Sequence, residues 1–258
     1  MDYALITGAS KGIGKALAYE LAGRKFNLLL TARSESLLKE LAYDIKKKNN
    51  IDVQYLATDL SLPQSPEKIA DWCTQNHYSL KILINNAGFG LWGAFDQLPI
   101  DGQLNMMQLN MTSLVGLTYH LLPNLKNNKK AYILNISSMA AYQAIPAFTI
   151  YAATKSFVLS FSRGLRHELG KSSVKVSCLC PGPTESSFLE RAEMMELEKT
   201  ARKFNMSSEE VAEIAVNGML EGKAEIVPGL SNKAIKQAVN YLPKNLVESI
   251  TARFYRKE

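Results

Sequence analysis

Short apolar runs alternate with longer amphipathic segments along most of this chain of 258 residues. The runs are rich in leucine, isoleucine and valine, as in strands that are buried on both faces and joined by crossover helices. Because such crossovers are right-handed, we predict an α/β protein with a doubly wound parallel sheet of about seven strands and helices on both faces. The predicted strands are YALIT (3–7), NLLLTA (27–32), DVQYLAT (52–58), KILIN (81–85), AYILNIS (131–137), VKVSCLCP (174–181) and AEIV (224–227).

The clearest helix precedes the last of these strands. Ser207 and Glu210 form a capping-box pattern at its start, and Gly222 suits its end. Two irregular stretches interrupt the regular order, FGLWGAFDQLP (89–99) and the segment from Glu185 to about Asn205. Both would lie beyond the carboxyl ends of strands, where open sheets bind ligands, so we expect both to be functional.

Composition narrows the class of protein. With 47% hydrophobic and 21% charged residues the chain can bury a substantial core, and we predict one domain over residues 1–258. There is no uncharged apolar run of about 18 residues, and MDYALITGAS does not resemble a secretory signal, so we expect a cytoplasmic protein. The three cysteines and three histidines lack the spacing of a disulfide framework or a zinc site, so no metal is expected.

The net charge of +6 comes from dispersed basic residues, apart from the short run Lys46 to Lys48. A mild positive excess of this kind fits attraction for an anionic cofactor as well as it fits nucleic acid. Because no longer basic run occurs, we do not expect a nucleic-acid partner.

A glycine-rich loop, within TGASKGIGKALAYELA, follows the first predicted strand. Gly8, Gly12 and Gly14 allow a tight turn and a close approach of the backbone to a pyrophosphate. The helix that follows offers N–H groups and the positive end of its dipole. The spacing is GxxxGxG instead of the common GxGxxG, but its position between a strand and an amphipathic helix predicts a dinucleotide site.

The end of the second strand predicts which dinucleotide binds. An NAD site of this kind places Asp or Glu there, about 20 residues beyond the glycines, to hold the ribose 2′-hydroxyl. This chain has Arg33 instead, which would attract the 2′-phosphate of NADP(H), and Lys11 could add a second positive charge. We therefore predict NADP(H) in preference to NAD(H); the alternative is that Arg33 is a solvated residue at a strand end.

Two tyrosine–lysine pairs are candidates for acid–base chemistry, YAATK (151–155) and YDIKK (43–47). In each, one helical turn brings the phenol beside the ammonium group. Tyr151 would lie near a helix start at the carboxyl edge of the sheet, whereas Tyr43 would lie in an exposed, lysine-rich helix end. We predict that only YAATK belongs to a site. Tyr142, a rival phenol, has Pro146 four residues further on and is the weaker candidate.

Seven ordered motifs resemble those of the short-chain dehydrogenase/reductase family, whose members have a Rossmann fold. They occur with family-like spacing and cover roughly residues 1–190. The resemblance implies an oxidoreductase that uses a nicotinamide dinucleotide. The motifs are TGASKGIG (7–14), TDL (58–60), NNAG (85–88), LNMTS (109–113), ISS (136–138), YAATK (151–155) and PGPT (181–184).

Carried over position by position, the resemblance implies a catalytic set of Asn110, Ser138, Tyr151 and Lys155. Tyr151 would be the acid or base, and Lys155 would lower its pKa from near 10 and hold the nicotinamide ribose. Ser138 would donate a hydrogen bond to the substrate oxygen, and Asn110 would complete a water-linked proton relay. Alternatively, Ser138 could cap a strand end and Asn110 could satisfy backbone groups within a helix.

The resemblance also implies a cofactor set. Asp59 would meet the adenine amino group, and Ser186 would contact the nicotinamide amide where the family has threonine. For Asn85 we expect a role in bracing the sheet. The cofactor set is Gly8, Ser10, Lys11, Gly12, Ile13, Gly14, Arg33, Asp59, Leu60, Asn86, Ala87, Gly88, Tyr151, Lys155, Pro181, Gly182, Thr184 and Ser186.

Large apolar side chains near the predicted site indicate the kind of substrate. Because ligand sites are concave and mostly apolar, this set predicts a bulky hydrophobic ketone, aldehyde or secondary alcohol, although half of the set could simply pack the core. Lipid-like, steroid-like and 3-oxoacyl substrates all stay open. The predicted walls are Phe89, Leu91, Trp92, Phe95, Met139, Tyr142, Ile145, Phe148, Phe188, Leu189, Met194 and Met195.

The basic, amphipathic tail LSNKAIKQAVNYLPKNLVESITARFYRKE could be an oligomer contact, a lid or a peripheral membrane helix. Because family members are commonly dimers or tetramers, a homodimer or homotetramer contact is the expected role. Two hypotheses for the whole chain follow, an NADPH-dependent carbonyl reductase and a catalytically silent dinucleotide-binding regulatory or scaffold protein. The complete catalytic set favours the reductase.

Overall fold

Seven parallel strands form one sheet in this computed structural model, which describes residues 2–184 and 206–255. The strands are β1 Asp2–Thr7, β2 Asn27–Ala32, β3 Val53–Ala57, β4 Ser79–Asn85, β5 Ala131–Ile136, β6 Val174–Leu179 and β7 Glu225–Ile226. Their order is β3-β2-β1-β4-β5-β6-β7, which confirms the predicted doubly wound parallel sheet. The predicted bounds differ from these by two residues at most.

Helices cover both faces of the sheet because the strands project apolar side chains to both sides. The helices of the described residues are α1 Gly12–Gly23, α2 Glu35–Asn49, α3 Ser65–Gln75, α4 Ile100–Met107, α5 Ser113–Lys126, α6 Thr149–Glu168, α7 Ser208–Leu220, α8 Leu230–Tyr241 and α9 Lys244–Tyr255. Helices α1, α2 and α7 pack on one face, while α3, α5 and part of α6 pack on the other. Within residues 2–184 and 206–255, none of these helices has the length and apolarity that crossing a bilayer requires.

Local signals in the sequence fix the ends of α7 as predicted. The Ser207 side chain accepts a hydrogen bond from the backbone N–H of Glu210, and the Glu210 carboxylate accepts one from the N–H of Ser207. After the helix, Gly222 has a φ of +75°, a left-handed conformation that glycine adopts without strain. The three cysteines are buried, as expected of small core residues.

The strand order reverses between β1 and β4, so the loops after these strands diverge and leave a crevice. The glycine loop follows β1, and the NNAG motif follows β4. The two are hydrogen-bonded to each other, since Asn86 Nδ2 donates to the Thr7 carbonyl at 2.9 Å and the Ala87 N–H donates to Thr7 Oγ1 at 2.9 Å. The fold therefore joins two predicted cofactor motifs that lie far apart in the sequence.

Candidate active site

A cavity of about 850 Å³ lies at the carboxyl ends of the central strands, between the glycine loop and the start of α6. All predicted cofactor residues that the structure describes line this cavity, as do Ser138, Tyr151 and Lys155. Ser186 lies outside the described residues. Asn110 is buried behind the wall of the cavity.

The glycine loop has the shape that close approach of a pyrophosphate requires. Gly8 has a φ of +65°, so a larger residue there would be strained. A Cβ on Gly14 would lie 2.3 Å from the Gly8 carbonyl oxygen, so only glycine lets the first turn of α1 approach the loop. Helix α1 begins at Gly12, and no side chain caps its N-terminus. The backbone at this point therefore forms a cradle for an anion.

The cations predicted to select the cofactor lie at the same end of the cavity. Lys11 and Arg33 both line it and are exposed, and no ion pair within residues 2–184 and 206–255 involves either of them. Asp59 also lines the cavity, and its Oδ1 accepts hydrogen bonds from the backbone and hydroxyl of Ser61 at 2.9 and 2.8 Å. This end thus combines two free cations with one carboxylate whose orientation is fixed.

The residues at the end of β4 and just after it divide between bracing the sheet and lining the cavity. Asn85 is buried and donates to Thr118 Oγ1 at 3.0 Å and to Asn135 Oδ1 at 2.8 Å. This confirms the predicted bracing role of Asn85. Gly88 faces the cavity, and a Cβ there would lie 2.9 Å from Asn110 Oδ1, so the glycine allows the loop to meet Asn110.

A local widening of the helix places Asn110. The segment Gln108–Thr112 forms a π-helical turn between α4 and α5, and such turns often occur at functional sites. Asn110 Nδ2 donates to the Phe89 carbonyl at 2.9 Å and to Thr154 Oγ1 at 3.1 Å, while its Oδ1 accepts from the Phe89 N–H at 3.1 Å. Asn110 therefore does satisfy backbone groups, but they belong to Phe89 in the loop after β4 and not to a helix, as the alternative role had it. It also ties the loop after β4 to α6, one turn from Tyr151.

Ser138 and Tyr151 meet on the wall of the cavity. Ser138 precedes the 3₁₀ turn Met139–Tyr142, and its Oγ accepts a hydrogen bond from the Ala140 N–H at 3.1 Å. Tyr151 is only 6% exposed, and its ring stacks on that of Phe148 with 4.2 Å between centroids. Burial raises the pKa of the Tyr151 phenol, and a hydrogen bond with Ser138 opposes that rise.

Lys155 lies one helical turn beyond Tyr151 and is 6% exposed. Its Nζ donates to the Ile136 carbonyl at 2.9 Å and lies 5.6 Å from the centre of the Tyr151 ring. The backbone carbonyl of Lys155 accepts a hydrogen bond from Ser137 Oγ at 2.7 Å, so Ser137 has a structural role next to Ser138. Burial lowers the pKa of the Lys155 ammonium to about 8, because the charged form loses hydration.

These pKa directions correct one expectation. Lys155 was expected to lower the pKa of Tyr151, but burial raises that pKa in this structure. The reason is that the ammonium group points to a backbone carbonyl and that burial disfavours both charged forms. The phenol, which is protonated at neutral pH even at its ordinary pKa near 10, is held in that form more strongly by burial, and this is the form that can donate a proton to an alkoxide.

Tyr142, the rival phenol, forms a hydrogen bond outside the main cavity. Its hydroxyl donates to Glu225 Oε1 at 2.5 Å, and the same carboxylate pairs with Arg163 at 2.6 Å and with Lys236. Burial, together with the nearby Cys180 and Glu225, raises the pKa of Tyr142. Within the described residues the main cavity is not lined by Tyr142. Glu225 of β7 therefore joins Tyr142 to Arg163 of α6 and Lys236 of α8.

The predicted apolar walls are only partly correct. Phe89, Met139 and Phe148 line the main cavity. Trp92 and Ile145 are each 2% exposed and belong to the packed core beside the site, and Tyr142 binds Glu225. Leu91 and Phe95 border a separate small pocket with Gln103. The remaining predicted wall residues, Phe188, Leu189, Met194 and Met195, lie outside the described residues.

Three wall residues that sequence reasoning missed come from the last two helices, namely Ile235, Phe254 and Tyr255. The Tyr255 ring lies nearly parallel to that of Phe148, with 6.2 Å between centroids, and its carbonyl accepts a hydrogen bond from Trp92 Nε1 at 2.8 Å. The amphipathic pattern of the tail signalled a buried face. Nothing in the sequence indicated that this face packs against residues 89–99.

Comparison with known proteins establishes the family. The family model described as short chain dehydrogenase matches residues 2–197. The very-long-chain 3-oxoacyl-CoA reductase of Rattus norvegicus is 33% identical over 184 residues, which are 70% of this chain and 58% of the relative. The chain thus matches somewhat over half the length of that relative. This protein belongs to the short-chain dehydrogenase/reductase family of oxidoreductases.

Solved structures give the same result across nearly the whole chain. A short-chain dehydrogenase from Sphingobium yanoikuyae in complex with NADPH has a TM-score of 0.83 and 30% identity, covering 96% of this chain and 95% of its own. The bulky-bulky ketone specific alcohol dehydrogenase from Comamonas testosteroni has a TM-score of 0.78 and 27% identity, covering 95% and 96%. The fold of this chain is therefore that of the family.

Proposed function

We propose that this protein is an NADP(H)-dependent oxidoreductase that interconverts a bulky hydrophobic ketone or aldehyde and the corresponding alcohol, with Tyr151 as the acid or base. One observation carries the proposal. The hydrogen-bonded Ser138–Tyr151 pair, with Lys155 one turn away, lines the same cavity as the glycine loop. Reduction of a carbonyl group needs a proton donor in the same cavity as the loop that binds the dinucleotide.

The cofactor would lie along the cavity from Arg33 to Tyr151. The backbone around Gly8 and Gly14 would hold the pyrophosphate, Lys11 and Arg33 would hold a 2′-phosphate, and Asp59 would meet the adenine amino group. When bound, NADPH supplies the hydride. The fit rests on the glycine cradle, which a Cβ would fill, and on two cations without ion-pair partners among the described residues.

Residues of this chain would then stabilise the charge on the substrate oxygen and supply the proton. A carbonyl oxygen placed against Ser138 and Tyr151 would accept two hydrogen bonds, which strengthen as negative charge develops on it. Tyr151 would transfer its proton to that oxygen, because an alkoxide is much more basic than a phenolate. Lys155, protonated at neutral pH, would stabilise the phenolate that remains and hold the ribose hydroxyls.

The apolar part of the cavity supports a bulky substrate. Phe89, Met139 and Phe148 form one part of the wall, and Ile235, Phe254 and Tyr255 form another. The similarity to a bulky-bulky ketone specific alcohol dehydrogenase points in the same direction. A 3-oxoacyl thioester is the second candidate substrate, favoured by the identity of 33% with a very-long-chain 3-oxoacyl-CoA reductase.

The first test is nicotinamide absorbance with NADPH and with NADH against a panel of small ketones, bulky aryl ketones, aldehydes and a 3-oxoacyl thioester. We expect turnover with NADPH and the highest kcat/KM for a bulky apolar carbonyl compound. Tight NADPH binding with no turnover of any compound would instead support the catalytically silent binding protein. A clear preference for the thioester would make the second candidate the substrate class.

The choice of cofactor is tested by Arg33→Ala, with Lys39→Ala as the matched control. Both side chains are exposed, but only Arg33 lines the cavity. We expect Arg33→Ala to weaken NADPH binding about tenfold, with little change for NADH, because a charge-assisted hydrogen bond contributes roughly 1.5–3 kcal/mol. Titration of nicotinamide fluorescence measures both affinities. Equal NADPH affinity in wild type and Arg33→Ala would contradict the assignment.

A further inference from the structure

Helices α8 and α9 present large apolar side chains to the outside. Among the described residues, seven of the fifteen exposed large hydrophobic side chains lie within residues 230–255. Leu230 is 83% exposed, Tyr241 85% and Phe254 59%. We call these exposed apolar side chains of α8 and α9 the tail surface; its main members are Leu230, Tyr241, Leu242, Leu246, Ile250 and Phe254.

The tail surface is a fixed feature of the fold, because the opposite side of α9 is anchored. Val247 and Thr251 are buried, and the Tyr255 carbonyl accepts the hydrogen bond from Trp92. Leu246, Ile250 and Phe254 follow one another at intervals of four residues, so they share one face of α9. Leu242 continues this face toward Tyr241 at the end of α8. The helix is therefore apolar on its anchored side and on its outer side.

Positive charge accompanies the tail surface. Lys233, Lys244 and Arg253 are exposed, and none of them takes part in an ion pair within residues 2–184 and 206–255. Arg253 lies three residues after Ile250, and Lys233 lies three after Leu230, so each cation borders an apolar member. The one acidic residue of this segment is Glu248, which is half-buried.

The tail surface also reaches the mouth of the cavity. Ile235 and Phe254 are exposed and line the cavity at the same time. A partner that covers the tail surface would therefore lie against the opening through which an apolar molecule enters. Cations beside apolar side chains match the anionic headgroups and acyl chains of a phospholipid bilayer. A two-fold contact with a second copy would instead bring the cations of both copies into one interface, where they repel one another.

We propose that the tail surface docks on an anionic phospholipid membrane, with the mouth of the cavity turned toward the lipid. Helices α8 and α9 lie in the interface, their apolar residues enter the headgroup region, and the cations bind phosphate. An apolar substrate then passes from the bilayer into the cavity, a consequence that rests on the proposed function. The docking proposal itself does not rest on the proposed function.

Sedimentation with vesicles tests docking without any need for turnover. We expect the full chain, loaded with NADPH, to bind vesicles of phosphatidylglycerol and phosphatidylcholine about tenfold more tightly than vesicles of phosphatidylcholine alone. High salt should weaken this binding, because it screens the cations. If the protein fails to sediment with the anionic vesicles at low salt, the proposal is overturned.

Variants then locate the contact. Leu246→Gln/Ile250→Gln should weaken vesicle binding by at least about tenfold, because both side chains leave water on docking. Leu62→Gln/Leu104→Gln removes two similarly exposed leucines elsewhere and should leave binding unchanged. Lys233→Gln/Lys244→Gln/Arg253→Gln keeps the apolar face and should abolish the preference for anionic vesicles. Unchanged binding in both tail variants would overturn the proposal.

The oligomeric state provides the competing outcome. If the wild-type chain does not bind vesicles and Leu246→Gln/Ile250→Gln turns an oligomer into a monomer, the tail surface is a contact between copies, and the membrane proposal is wrong.

The Leu246→Gln/Ile250→Gln variant also separates the two proposals made for this protein. It should raise the KM for a ketone delivered in anionic vesicles several-fold while leaving a water-soluble ketone unaffected. Absence of turnover with both ketones would count against the proposed function alone.

Discussion

The two tyrosine–lysine pairs of this protein have the same spacing and opposite environments. Tyr43 is 70% exposed and Lys47 is solvated, whereas Tyr151 and Lys155 are each 6% exposed. Both pairs lie on helices with the two side chains one turn apart. Spacing places a phenol near an ammonium group in both pairs, whereas burial shifts the pKa values of Tyr151 and Lys155.

The charged groups near the surface pair show how weak interactions between solvated charges are. Near it, the Asp44 carboxylate accepts hydrogen bonds from Lys48 at 2.8 Å and from Tyr19 at 2.7 Å, and the resulting interactions are screened by water. In the buried pair, loss of hydration disfavours the phenolate and the ammonium ion alike. Substitutions in the buried pair should therefore change activity and stability far more than the same substitutions in the surface pair.

The largest effect is expected from removing the buried phenol. Tyr151→Phe keeps the ring stacked on Phe148 but lacks the proton donor, so kcat should fall by about 10²–10⁴-fold. NADPH affinity, measured by fluorescence titration, should stay within about threefold. Tyr43→Phe is the matched control and should have wild-type activity. Full activity of Tyr151→Phe on a reactive ketone would show that another group carries the proton.

Ser138→Ala should produce the next largest effect, a loss of roughly 10²-fold in kcat, because a hydrogen-bond donor to the developing oxyanion is gone. Its hydrogen bond also lowers the pKa of Tyr151, so the variant should shift the basic limb of alcohol oxidation to higher pH. Ser138→Thr should restore part of both properties. Ser156→Ala removes a neighbouring hydrogen bond outside the cavity and should leave the pH profile unchanged.

Replacing the buried ammonium group should stabilise the protein while destroying its activity. For the free protein at neutral pH, Lys155→Met should raise the free energy of unfolding by roughly 1–3 kcal/mol, because each unit of pKa depression corresponds to about 1.4 kcal/mol. Some of this gain is lost because the Ile136 carbonyl loses its donor. Lys47→Met, at the solvated position, should leave stability unchanged.

The pH dependence of that stabilisation has a definite sign. The pKa of Lys155 is about 8 in the folded state and near its ordinary value of 10.5 when unfolded, so the unfolded chain binds more protons between these values. Stability of the wild type should therefore gain from this group as pH rises from about 8 to 10.5, and the advantage of Lys155→Met should shrink over the same interval. Denaturant unfolding at several pH values measures this change. A constant difference between the two proteins would show that burial of the Lys155 ammonium group is not the cause.

The smallest effect is expected from the hydrogen bonds of Asp44, which lie beside the surface pair. Asp44→Asn removes the carboxylate that Lys48 and Tyr19 share, yet the melting temperature should change by less than about 2 °C because exposed ion pairs contribute little. Activity should be unchanged. Differential scanning calorimetry and the ketone assay check both statements. A large destabilisation would mean that the interactions of Asp44 with Lys48 and Tyr19 are less screened by water than their exposure indicates.

Much of the fold and of the cofactor end follows from sequence because the signals are local. Apolar runs specify buried strands, and Ser207 with Glu210 specifies a helix start. The glycines at 8 and 14 stand where backbone geometry admits little else. Arg33 was predicted as a cofactor contact from its position after β2, and both Arg33 and Lys11 line the cavity.

The apolar walls were predicted less well because proximity in sequence does not determine the direction of a side chain. Trp92 and Phe95 lie three residues apart, yet one is buried and bonded to Tyr255 while the other is 60% exposed. Phe254 and Tyr255 were missed because they follow Tyr151 by about a hundred residues. Only packing of α9 against the segment after β4 brings them to the cavity.

The sequence by itself determined the sheet, the glycine loop and the family, since each depends on residue types at short, regular spacings. The tertiary structure decided which tyrosine is buried, where the tail packs and in which direction the pKa values of Tyr151 and Lys155 move. The physical reason is that hydration is lost only when distant segments pack together. The protonation of a phenol or an ammonium group is therefore a property of the folded chain and not of the motif that contains it.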